Sequence, residues 1–221
     1  MTTGRTGLYS VVSTEISEVQ MSNLNVKTFL PQWVAIVTVA MTLATMGAFL
    51  TMWSVGEVVE ETWGETAMAL VVGGLFGALL AGSTGTAQAM VLYRQGINPG
   101  TWIVRTLVAG TVGMAIGMTV AFSFMDVDTM PGALIGLHFA LSVGVPIGQV
   151  QSQLLKKHVK QARLWVLISA AAFAVGFGVG LPLSGEGREW LAVGTMAALT
   201  AIVSGTGLVW LARRQQTAVV V

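Results

Sequence analysis

The sequence predicts an all-α integral membrane protein: six transmembrane helices arranged as three tandem, parallel-repeat helical hairpins. Three observations predict it. The chain is 54% hydrophobic and 10% charged, with a mean hydropathy of +0.76, whereas soluble domains carry about 25% charged residues. Six apolar runs, at about 31–53, 66–93, 102–125, 130–155, 163–183 and 189–212, each reach the ~20 residues that span a ~30 Å hydrocarbon core. Similar residue patterns also recur at an offset of 63 positions.

Residues 1–28 are polar and mixed, and are expected to form a cytoplasmic N-terminal segment with a short helix near Ser13–Met21. They show no apolar core followed by a small-residue cleavage site, so a cleaved signal peptide is not expected. Residues 29–215 form the transmembrane domain, with repeats at about 31–94, 102–157 and 163–214, and 216–221 a short tail. The apolar runs lack period-two alternation, and backbone groups in lipid must be satisfied internally, so each run is read as a helix.

The charges order these helices. Arg94, Lys156, Lys157, Lys160, Arg163, Arg213 and Arg214 follow the even segments, Arg5 and Lys27 precede the first, and Arg188 alone lies opposite. The positive-inside rule then puts both termini in the cytoplasm, in a membrane expected to be the prokaryotic inner membrane. The opposite connections are acidic: Glu57, Glu60, Glu61 and Glu65, then Asp126 and Asp128, then Glu186 and Glu189. The stretch Gly56–Glu65 reads as a solvated acidic loop. Trp33, Trp102, Trp165 and Trp210 fall at the basic ends, and Trp53, Trp63 and Trp190 at or beyond the acidic ends. This distribution predicts an aromatic belt, with Trp33, Trp102 and Trp165 as membrane anchors and Arg105 snorkelling beside them.

The repeat rests on paired positions. Trp102 and Trp165 each open an odd segment; Gly113 matches Gly176, and Gly117 matches Gly180. In the even segments Gly73 matches Gly136, Gly85 matches Gly148, Gln88 matches Gln151 and Arg94 matches Lys157. The pairs Gly73–Gly77, Gly113–Gly117, Gly132–Gly136 and Gly176–Gly180 have the small-xxx-small spacing that lets helix backbones approach closely in lipid.

Few groups in the spans can do chemistry. No Asp or Glu falls inside a run apart from Glu189 at the first position of the last one, which argues against ion-coupled carriage. Zero cysteines exclude thiolate sites and disulfides. No phosphate loop, metalloprotease motif or nucleophile–base set is present, so no enzyme is expected. A net charge of +1 gives no reason to expect nucleic acid.

His138 is the one clearly intramembrane titratable group. It needs a hydroxyl, a backbone carbonyl, or the metal centre of a haem or chlorophyll-type pigment. His158 falls in the basic connection and is expected to be solvated. Gln88, Gln149, Gln151 and Ser204 are candidates for a polar cluster or pocket near the basic mouth. Pro146 should kink the fourth helix.

These observations favour a non-catalytic structural or accessory subunit of a larger membrane complex, packed against membrane lipids, pigments and other membrane protein subunits. The alternative is a small-solute transporter or substrate-binding membrane subunit with a polar pocket near the cytoplasmic helix ends.

Overall fold

A computed structural model describes residues 24–125, 130–185 and 187–217, with side chains described to residue 214. The expectation of a helix near Ser13–Met21 lies outside these residues. Among the described residues there is no strand, and six helices are long and apolar enough to cross a membrane. They are α1 (Val26–Trp63), α2 (Glu65–Leu92), α3 (Pro99–Phe124), α4 (Gly132–Leu155), α5 (Leu164–Gly180) and α6 (Glu189–Thr217).

Each helix packs on the next in chain order, and α6 returns to α1, so the six close into a ring. The ring is faced outward by large apolar side chains. Val104, Val108, Val112 and Ile116 stand four apart on α3 and are all exposed, as are Leu43, Leu141 and Leu167 on other helices. An apolar face on this scale is what lipid covers in a multi-pass membrane protein.

Local chemistry sets the ends. Asn25 caps α1, its side chain accepting from the Lys27 N–H at 3.2 Å. The helix therefore starts before residue 29, where the polar segment was expected to give way to the transmembrane domain. At the other end α1 runs on through Glu57, Glu60 and Glu61 to Trp63. The expected acidic loop is thus mostly helix. At ~1.5 Å per residue the 38 residues of α1 exceed the hydrocarbon thickness, so the charged turns extend past the apolar stretch instead of entering it. Gly64, with φ +85°, makes the whole reversal into α2. Asn98 caps α3 by accepting from the Thr101 N–H at 3.0 Å, with Pro99 at the first position, where a missing N–H costs nothing.

The paired glycines lie at the seams. Gly73 and Gly77 of α2 meet Met114 and Met118 of α3; Gly113 and Gly117 of α3 meet Ser142 of α4. Gly132 and Gly136 of α4 meet Gly178 of α5, and Gly176 and Gly180 of α5 meet Met196 of α6. A methyl group at Gly113 would collide with the Ser142 carbonyl oxygen, and one at Gly136 with that of Ala174.

α4 is not uniform. Residues Ala140–Gly144 form a π turn directly before Val145 and Pro146. Proline has no N–H to give the carbonyl four residues back, which is that of Ser142. The expected disturbance therefore takes the form of a locally widened helix. The Ser142 carbonyl lies against α3 at Gly113, where only a glycine leaves room.

Candidate functional site

Two features occupy the inside of the ring, one near each end. The first is a hydrogen-bonded lattice towards the basic end. The indole Nε1–H of Trp102 donates to Gln88 Oε1 at 3.2 Å, and that of Trp165 to Gln151 Oε1 at 2.8 Å. The Gln151 amide donates to Gln88 Oε1 at 2.8 Å and to Thr106 Oγ1 at 2.9 Å. Because an indole nitrogen only donates, these contacts also fix which end of each glutamine is oxygen. Gln151 thus uses both amide hydrogens and its carbonyl, and the lattice ties α2, α3, α4 and α5 together. Trp33 of α1 closes the ring separately, donating to Ser204 Oγ of α6 at 3.1 Å.

The anchor reading fails for these three tryptophans. Trp33, Trp102 and Trp165 are 0%, 0% and 1% exposed, with their polar tips turned into the bundle. An indole beside basic residues can satisfy its N–H either at headgroups or on an interior acceptor, and here the glutamines and Ser204 provide the acceptor. Trp53, Trp63 and Trp190 are exposed.

The polar cluster also differs from expectation. Gln88 and Gln151 meet, Ser204 bonds instead to Trp33, and Gln149 is exposed outside the cluster. Gln149 and Gln151, two apart, point to different sides of one helix. Neither Gln88 nor Gln151 lines the cavity described below; the Gln88 oxygen and both ends of the Gln151 amide are taken by partners. Thr106, Trp102 and Trp165 are the lattice members, and Trp33 the partner of Ser204, that the sequence reading missed. Arg105 is exposed and reaches Gln153 Oε1 at 3.2 Å.

His158 is half-buried instead of solvated, and its Nδ1 is enclosed with no hydrogen-bond partner among the described residues. Burial, and then the Lys157 ammonium, hold its pKa below the usual imidazole value.

The second feature is a cavity of about 650 Å³ that receives side chains from all six helices. α1 contributes Thr45, Phe49 and Met52; α2 Phe76; α3 Met114, Met118 and Phe122; α4 His138 and Phe139; α5 Phe177; and α6 Val193 and Met196. Glu65, Ser184 and Glu189 reach it from the acidic helix ends, and all three are exposed, so this is the end at which it opens. The volume falls in the roughly 300–1,000 Å³ range of small-molecule sites, which in bundles lie between helices.

His138 lies on this wall. Its Nε2 is 2.9 Å from the Gly117 carbonyl oxygen, and its ring stands edge-on to Phe139. A carbonyl only accepts, so Nε2 carries the proton. Gly117 thus meets the need of a lipid-embedded imidazole, and one of the two nitrogens that could ligate a haem or chlorophyll metal is taken. The pigment expectation gains nothing from this geometry.

Thr51, Thr111 and Thr119 donate to the carbonyl four residues back, whereas the hydroxyls of Thr38, Thr45 and Thr84 are buried without a hydrogen-bond partner among the described residues, and of these three Thr45 lines the cavity. No protein-family model matches the chain, and comparison with curated proteins and with solved structures likewise finds no match.

Proposed function

We propose that this multi-pass membrane protein is non-catalytic and holds a small apolar molecule in the axial cavity of its helix ring. One observation carries the reading: a 650 Å³ space walled by methionine and phenylalanine from every helix. Side chains of this kind bury apolar ligands and adapt their shape to them. The buried Trp–Gln lattice fills the basic end, which favours a one-sided vessel over a through-pathway. The polar-solute pocket near the basic mouth loses its support, because those glutamines are spent on one another.

The ring is read as three parallel hairpins. Two Trp–Gln bonds, each spanning 14 positions, support this. The basic ends are read as cytoplasmic, with lipid on the outer face.

Photolabelling with a diazirine-bearing hydrocarbon in nanodiscs, followed by peptide mapping, tests the cavity reading. Adducts are expected on Met114, Met118 and Met196 as well as on lipid-facing residues. Adducts confined to lipid-facing residues such as Leu43, Val108, Leu141 and Leu167 would overturn it.

A second reading, an accessory subunit that docks a partner helix, is favoured by α1. Its apolar window is 28% buried, the lowest of the six, and an outer groove between α1 and α2 is lined by Ala35, Ala40, Gly82 and Ala87. Co-purification of a stoichiometric partner in mild detergent, lost in an Ala40→Leu/Gly82→Leu variant, is the expected result for that reading.

A further inference from the structure

Two carboxylates, Glu65 and Glu189, stand at the acidic end of the cavity, and among the described residues no lysine or arginine lines it. Arg188 precedes Glu189, is exposed, and is not part of the lining. His138 spends its Nε2 proton on the Gly117 carbonyl oxygen. The Thr45 hydroxyl, 1% exposed, has no partner among the described residues and can accept as well as donate. The walls between are aromatic faces and thioethers, which are electron-rich and polarizable.

From this we infer that the cavity takes a lipophilic organic cation: an aryl- or alkyl-bearing ammonium or phosphonium, its body among Phe76, Phe177 and Met118 and its charge towards Glu65 and Glu189. The inference rests on the cavity reading and adds the sign of the ligand's charge. A neutral hydrocarbon would use the walls but leave the carboxylates and the unpaired hydroxyl without a role. An anion would meet two like charges at the mouth.

The test uses two ions of one shape and opposite charge, tetraphenylphosphonium and tetraphenylborate, as competitors of the diazirine probe in nanodiscs. Tetraphenylphosphonium is expected to protect the Met118 peptide at roughly tenfold lower concentration than tetraphenylborate, the factor that one well-placed charge interaction gives. In a Glu65→Gln/Glu189→Gln variant, which alters two exposed side chains, that advantage should fall to near parity. A Glu57→Gln control, altering a carboxylate outside the lining, should keep it. Equal protection by both ions, or better protection by tetraphenylborate, overturns the cation assignment while leaving the cavity reading intact. Absence of any interior adduct to protect overturns both.

Discussion

The amide of Gln151 donates to the side-chain oxygen of Gln88 at 2.8 Å, joining α4 to α2 over the intervening α3. Each glutamine also receives an indole N–H, and Gln151 holds Thr106 as well. Removing Gln151 therefore strands the Trp165 N–H in a buried site. Gln151→Leu should cost ~1–3 kcal/mol, the usual penalty for an orphaned buried polar group. Reversible unfolding in detergent measures it. Gln88→Leu combined with Gln151→Leu should cost less than the two single changes added together, since both strip one network.

Ser142 and Pro146 set up a second coupling. The Ser142 carbonyl loses its usual helical donor because residue 146 is proline, and it lies against Gly113. Gly113→Ala should destabilise by ~1–3 kcal/mol through overpacking. Pro146→Ala restores an N–H to that carbonyl and should relieve part of the Gly113→Ala penalty. Strict additivity of the two changes in thermal unfolding would argue against this link.

His158 gives a pH dependence. Its folded pKa lies below the ordinary imidazole value, through burial and then Lys157. The unfolded chain thus binds the proton more readily, and stability rises with pH across the interval between the folded and ordinary values. Above the ordinary value, ~6.5, the penalty is absent; below the folded value it is complete. Acidification through pH ~6.5 should lower the unfolding temperature. A His158→Gln variant should lose this component of the pH dependence.

Thr45 offers a test without a ligand. Its buried hydroxyl has no partner among the described residues. Thr45→Val keeps the shape and removes an unsatisfied group, so the empty protein should gain about 1 kcal/mol. Loss of stability would mean that the hydroxyl is already satisfied.

Much of this architecture is legible in the chain. Run length and the scarcity of charge give six spans, and the charges sort the ends. The inward turn of the tryptophans is partly legible. Trp102 follows Gln88, and Trp165 follows Gln151, by the same 14 positions, a pairing that the exposed Trp53 and Trp63 lack. Trp33 and Ser204 are 171 positions apart, and no spacing rule links them. The extension of α1 was masked by its carboxylates. Glu57 and Glu61 have helical spacing, yet charge is excluded from lipid, and only a helix longer than the membrane satisfies both. The cavity is the least legible feature, because it depends on the relative depth of methionines and phenylalanines from six helices, which is set by packing.

The most direct test of the one-ended cavity exploits the absence of cysteine in this chain. A single Met118→Cys variant, reconstituted in vesicles of known orientation, is exposed to a small membrane-impermeant thiol reagent from each side. Labelling from the acidic side alone, slowed by tetraphenylphosphonium, is the predicted result. Labelling from the basic side would contradict the account, because the lattice of Trp102, Trp165, Gln88 and Gln151 could not then be closing that end.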